Sequence, residues 1–447
     1  MSRYIKVKND LLTKNGVSLI LPFAMITSCF AMWGFANNVT SPMVKAFSKI
    51  FRMSVTEGAL VPVAFYLGYF VMAIPAAIYI QRHTFKSGVL VGLSLFAIGS
   101  LAFLLARFTG YYYPFLLSYF ILTCDLSFLE TSCNPYVYRM GSEDTATQRL
   151  NLAQAFNPVG SLLGMYVAMQ FVQAKMNPLG SAARLNLPEA QFNMVKSHDL
   201  GIVSQPYIYL GAAVIILLVL IFLNKTMPTD SDTRSDKSIV VAARELWHMS
   251  NYREGVIAQF FYIGAQITCW TFIIQYGTRV FMAEGMEEKA AEILSQKYNI
   301  AAMVLFSVGR FVCTWLLKYF TASRLLSVLA IIAGAAIFGV ILFTDRSGVY
   351  CLVVVSGCMS LMFPTIYGIA LHGVGDNVKY AGAGQIMAIL GGSVFPPLQA
   401  LIIDFDATLF GIPATNLSFI VPLICFVVVA LYGHRAYVRF HILGVRR

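Results

Sequence analysis

Glu130 lies in LETSCNPYVY, residues 129–138, inside an otherwise apolar run that begins near Tyr113. At membrane depth an ionisable side chain costs at least ~2.5 kcal/mol, and such residues normally face a partner or a cavity through which ions or substrate pass. The chemistry open to a lone carboxyl of this kind is uptake and release of a proton. A second acid, Asp125, precedes it by five residues, and Asn134-Pro135 follows it. Proline has no N–H and disfavours helix in the residue before it, so a break in the helical ladder is expected here. Breaks are tolerated where backbone lines a cavity or is covered by other helices. The plain alternative is an acid that only pairs with another helix.

Polar side chains in other apolar runs fall into stripes. Trp33, Asn37 and Ser41 recur at spacing four with Asn38 beside them, which puts an aromatic, an amide and a hydroxyl on one helix face. In RLNLAQAFNPVG, Gln154 and Asn157 are three apart, on one face, just before Pro158. Further on, Gln259, Gln266 and Trp270 follow spacings of seven and four, with Gln275 slightly off that line. A hexose presents hydroxyls at its rim and C–H groups on its faces. A pocket of amides with aromatic plates, apolar elsewhere, fits it. Asn38, Gln154, Asn157 and Gln266 are the candidate hydrogen-bonding arms, and Trp270 and Trp33 the candidate plates. The same amides would equally serve as interhelical glue or stabilise the helix break. Arg310, a cation within a helix, needs a partner or water, or else snorkels to an interface.

These residues need a scaffold of apolar helices, and the composition supplies one. With 58% hydrophobic and 12% charged residues and a mean hydropathy of +0.70, the 447-residue chain is no ordinary soluble globule, which would carry about 25% charge. Twelve runs are long enough to cross ~30 Å of hydrocarbon, centred near residues 28, 70, 97, 123, 162, 214, 267, 308, 334, 360, 390 and 427. The first follows Arg3, Lys6, Lys8 and Lys14 and is longer than the apolar core of a cleaved signal peptide, so it is expected to remain as helix one. An even number of crossings puts both termini on one side. If that side is the cytoplasm, its loops and tails hold 20 of the 32 Lys and Arg residues against 11 outside, with Arg310 left in a helix. The positive-inside rule supports that orientation. The net charge of +11 mostly reflects this asymmetry, and nothing resembles a nucleic-acid module. The eight cysteines show no CxxC and no Cys/His cluster at metal-ligand spacing, so no metal or organic cofactor is expected. No HExxH, GxSxG or paired histidine supports a membrane-embedded enzyme.

The two halves of the chain resemble each other. Trp33-Gly34-Phe35 answers Trp270-Thr271-Phe272 at an offset of 237, Pro135 to Tyr138 answers Pro364 to Tyr367 at 229, and the Gln154/Gly160 pair answers Gln385/Gly391 at 231. TMPTDSDTRSDKS, the most polar stretch, falls near the centre and is followed by VAARELWHMSNYR, which reads as a short amphipathic surface helix. The expected organisation is an N-terminal six-helix bundle over 1–223, a cytoplasmic linker over 224–252 and a C-terminal six-helix bundle over 253–447. Parallel repeats of this kind belong to transporters whose site lies between the halves.

Taken together, LETSCNPYVY, RLNLAQAFN, GAQITCW, VGRF and FPTIYG resemble the L-fucose:proton symporter family of the major facilitator superfamily, along nearly the whole chain from WGFANN to helix eleven. The resemblance implies an all-α membrane protein with twelve transmembrane helices, importing a monosaccharide with a proton and needing no cofactor beyond that coupling ion. It implies a bacterial inner membrane location and, since each chain contains a complete pathway, a monomer. The family's coupling acid corresponds to Glu130, and its sugar contacts to Asn38, Gln154 and Asn157. Related glucose and galactose carriers have glutamine at the Glu130 position, so the acid favours the fucose branch. Two departures matter. The family's second acid on helix one is replaced by Ser41, and an aromatic hydroxyl before the helix-ten proline is replaced by Phe363. Asp125, where the family has a small residue, is expected to take over the missing acid's role and relay protons from outside to Glu130, about 7.5 Å further in along an ideal helix. Its spacing turns it about 140° from Glu130, which also suits plain helix packing. An uncoupled sugar facilitator, a symporter for glucose or galactose, and a sugar sensor are the competing expectations.

Overall fold

The computed structural model describes residues 11–14, 17–40, 43–53, 60–179, 181–224, 239–404, 408–409 and 411–442. Within these the helices of nine or more residues are α1 (Ile20–Thr40), α2 (Met43–Phe51), α3 (Leu60–Arg82), α4 (Phe85–Thr109), α5 (Tyr112–Arg139), α6 (Ala146–Gln154), α7 (Phe156–Val167), α8 (Glu189–Leu223), α9 (Ile239–His248), α10 (Ser250–Ala283), α11 (Glu288–Leu316), α12 (Ala322–Leu342), α13 (Arg346–Met359), α14 (Met362–Ala370), α15 (Val378–Met387), α16 (Gly391–Asp404) and α17 (Ile420–Tyr437). Two short antiparallel strand pairs, Thr13–Lys14 with Val17–Ser18 and Thr408–Leu409 with Ile412–Pro413, complete the regular structure.

Eleven helical segments among the described residues are long and apolar enough to span a bilayer, and α3, with 23 residues, is a twelfth. They match the expected runs one for one. Helix is the form that closes every backbone hydrogen bond within its own segment, which hydrocarbon demands. Many large apolar side chains point outward, among them Leu105, Phe108, Phe222 and Ile331, each at least 60% exposed. Apolar surface on that scale would drive association in water and is matched by acyl chains instead. The chain is a multi-pass membrane protein.

Two helix breaks fall at prolines, while Pro75, Pro135, Pro206, Pro396 and Pro397 lie inside helices that continue through them. The run around Pro158 divides into α6 and α7 at Ala155, and the run around Pro364 divides into α13 and α14 at Ser360 and Leu361. The break expected at Asn134-Pro135 does not form, and α5 continues through Pro135 to Arg139. Its neighbours α3 and α4 cover it, and the Asn134 amide donates back to the Glu130 carbonyl at 3.0 Å. Proline inside a spanning helix is tolerated where neighbouring helices cover the turn. The sixth spanning helix, α8, begins well before its apolar run, at Glu189. The amphipathic segment forms α9, while Ser41 and the polar linker stretch 226–238 lie outside the described residues.

The chain forms two compact units. One comprises Leu12–Met140 with Phe156–Asp236, and the other Met1–Leu11 with Gly141–Ala155 and Lys237–Arg447. In the first, α1 lies along α7, α5 packs between α3 and α4, and α8 lies on α4. In the second, α10 packs against α11, α16 and α17, α12 packs against α13 and α17, and α6 rests on α11 and α14.

Candidate functional site

Every residue of α5 from Leu122 to Tyr138 is buried, and Glu130 sits at the centre of that stretch with 3% of its surface exposed. The Tyr69 hydroxyl on α3 donates to its Oε1 at 3.0 Å, while Oε2 is buried with no hydrogen-bond partner among the described residues. The register that brings Tyr69 there has two causes. Ser127, one turn before Glu130, donates to the Tyr69 carbonyl at 3.2 Å. Gly68 lets α3 approach so closely that a Cβ in its place would stand 3.0 Å from the Phe120 carbonyl. Nothing in the sequence spacing points to Tyr69, 61 residues away.

Asp125 is fully buried, and neither of its carboxyl oxygens makes a hydrogen bond among the described residues. The donor to Glu130 comes from α3, and no hydrogen bond joins the two acids among the described residues.

Three candidate sugar contacts meet along the α1–α7 seam. Gly34, Gly160 and Gly164 bring these helices into backbone contact, a Cβ at Gly160 falling 1.9 Å from the Ala31 carbonyl. At that seam the Asn157 amide donates to the Phe30 carbonyl at 3.3 Å, and Ser161 and Asn38 both donate to the Gly34 carbonyl, at 3.3 and 3.4 Å. Trp33 is buried against Phe30, their rings 5.0 Å apart. Asn37, expected on the stripe with Trp33, is exposed.

The turn at Ala155 puts Gln154 at the end of α6 and Asn157 at the start of α7, in different compact units. In its own unit Gln154 is buried, and its carbonyl accepts from Arg310 Nη1 at 2.9 Å. Arg310 does not snorkel. It is 4% exposed, donates also to the Ser360 carbonyl at 2.7 Å, and lies 4.7 Å over the Phe306 ring. On α10, Gln266 is buried one turn before Trp270. The half-buried Trp270 indole donates to Ser356 Oγ at 3.1 Å and meets Phe306 edge-on, which fixes the plane of the candidate plate. Gln259, further back on the same stripe, is wholly buried with both amide atoms unbonded.

Among the described residues no cluster of three or more His, Cys, Asp or Glu side chains could hold a metal ion. The first unit holds a buried carboxyl, Glu130, with one oxygen unbonded among the described residues, and each unit carries amides and an indole anchored on its own helices.

Known proteins share this architecture. The Major Facilitator Superfamily profile matches residues 24–396. The L-fucose-proton symporter of Haemophilus influenzae is 46% identical over 425 residues, covering 94% of this chain and 97% of that protein. The L-fucose-proton symporter of Escherichia coli is 31% identical, covering 93% of each. The crystal structure of an Escherichia coli transporter of this superfamily in the outward conformation superposes with a TM-score of 0.84 at 30% identity, covering 93% of this chain and 99% of that one. The glucose/galactose transporter of Brucella abortus is 28% identical over 437 residues.

Proposed function

The chain belongs to the Major Facilitator Superfamily, and from that premise we propose that it imports L-fucose together with a proton by alternating access, with Glu130 as the coupling acid. The observation that carries this reading is the state of the Glu130 carboxyl: buried at the centre of α5, with Oε1 held by Tyr69 and Oε2 without a partner among the described residues. The bare oxygen is where a transported proton binds. Protonation removes the charge that would oppose closing the protein around the acid, and cytoplasmic water lets the proton leave. Asn38, Gln154, Asn157 and Gln266 bind the sugar hydroxyls, and Trp270 and Trp33 face its C–H surfaces. The anchoring bonds of Asn38 and Asn157 to α1 carbonyls are weak enough, at 3.3 to 3.4 Å, to yield to a sugar hydroxyl. Coupling then requires that sugar and proton favour the same occluded state, each raising the other's affinity.

The same reading assigns two six-helix bundles, 1–223 and 253–447, joined by a cytoplasmic linker at 224–252. It places both termini in the cytoplasm of a bacterium, the protein in the inner membrane, and a monomer as the working unit. Asp125, in a chain where Ser41 replaces the family's second acid, relays protons toward Glu130.

The deciding experiment measures uptake of labelled L-fucose into vesicles under an imposed inward proton gradient, for the native chain and for Glu130→Gln. Native vesicles are expected to accumulate sugar above the outside concentration. The variant is expected to lose accumulation while still exchanging sugar across the membrane. Equilibration without accumulation in both would make the protein a facilitator and Glu130 a packing residue.

A further inference from the structure

Arg310 has an unusual pair of acceptors. In an α-helix the carbonyl of residue i accepts from the N–H of residue i+4. For Gln154 that residue is Pro158, and for Ser360 it is Pro364, and neither has an N–H to give. These prolines therefore orphan two buried carbonyls, and an unsatisfied buried acceptor is destabilising. Arg310 Nη1 takes the Gln154 carbonyl at 2.9 Å and Nε takes the Ser360 carbonyl at 2.7 Å. One planar guanidinium, with donors at fixed angles, spans both; a lysine ammonium is a single point at the end of a flexible stem. Phe306, one turn earlier on α11, lies against the guanidinium and limits where it can go.

Three other contacts fasten α6 along the rest of its length. Gln148 donates to the Thr314 carbonyl at 3.3 Å and Asn151 to Thr365 Oγ1 at 3.1 Å, while Thr147 lies against Gly368, where an added Cβ would stand 2.6 Å from its hydroxyl. Thr147, Asn151 and Gln154 follow helical spacing, so α6 meets α11 and α14 through one polar stripe. Hydrogen bonds of this kind can be exchanged for water, unlike a packed apolar seam. α6 precedes the linker in sequence, whereas α11 and α14 follow it. At Ala155 the chain also passes from one compact unit to the other.

We propose that Arg310 is a positioning residue for transport: it clasps the carbonyls freed by Pro158 and Pro364, holds α6 and the Gln154 amide on α11 and α14 in one transport state, and releases Gln154 in the other. The inference rests on the alternating-access reading above only for its second half. The clasp itself can be tested without sugar.

The test uses the purified full-length protein in detergent with Thr147→Cys, following the rate at which a soluble maleimide labels that position over the background of the parent protein. With Arg310 intact the stripe shields the site. Arg310→Gln is expected to speed labelling on the order of tenfold, the scale of a lost hydrogen bond from a charged donor. Arg310→Lys should also speed it, because charge without the fork cannot hold both carbonyls. Pro158→Ala offers a second route that leaves the arginine in place: the restored N–H competes for the Gln154 carbonyl, so labelling should rise there too. Rates within twofold of the parent in all three variants would overturn the clasp. A native chain that moves no L-fucose would sink the transport reading, and labelling that rises as expected in the variants would leave the clasp standing.

Discussion

Tyr69→Phe removes one hydroxyl and keeps the ring that packs α3 on α5, so it isolates the hydrogen bond to Glu130 Oε1. A hydrogen bond to an ionised group contributes about 1.5–3 kcal/mol, which corresponds to a tenfold or larger change in how the two protonation states are balanced. Proton-driven L-fucose uptake is therefore expected to fall about tenfold while sugar exchange persists, and equal losses in both assays would show that the tyrosine serves folding alone. Asp125→Asn preserves shape and deletes the second acid. If Asp125 relays protons, gradient-driven uptake should slow several-fold with exchange intact; unchanged uptake would end the relay idea. Glu130 was legible in the sequence because a charge inside an apolar run needs a reason. Tyr69 was not, since a hydroxyl in an apolar helix carries no such signal and its role arises only from the α3–α5 register that Ser127 and Gly68 fix.

Helix contacts in this chain depend on small residues at a few points, and the α1–α7 seam is among the tightest of them. Gly160→Ala would force a methyl to 1.9 Å from the Ala31 carbonyl, whereas an added Cβ at Gly334 has nothing nearer than 3.9 Å. Overpacking against backbone typically costs about 1–3 kcal/mol or more. Gly160→Ala should lower the midpoint of thermal unfolding in detergent by several degrees and weaken L-fucose binding, because Asn38 and Asn157 are aimed from that seam; Gly334→Ala should match the native protein in both. A break at Pro158 followed from sequence, since proline leaves the helical ladder one donor short. Pro135 does not break α5, which its neighbours α3 and α4 cover. The spacing of Gln154 and Asn157 gives no sign that the chain passes from one compact unit to the other between them.

At the scale of the whole molecule, twelve apolar runs and a repeated order of motifs made the superfamily architecture readable, because a bilayer leaves helices few alternatives. Coupling is not readable in the same way, since a symporter and a facilitator share the fold and differ in whether one buried carboxyl must change its proton during each cycle. That difference is visible as proton movement. Adding L-fucose to a weakly buffered suspension of de-energised cells containing the protein should alkalinise the medium, because each sugar entering down its gradient takes a proton with it. The initial rate should follow sugar entry in fixed proportion and vanish in Glu130→Gln, where exchange continues. D-galactose or D-glucose raising the same signal would widen the substrate class without touching the mechanism. Sugar entry with no alkalinisation would mean that the proton site at Glu130 is not cycled, and that replacing the helix-one acid by Ser41 has uncoupled the carrier despite the buried carboxyl on α5.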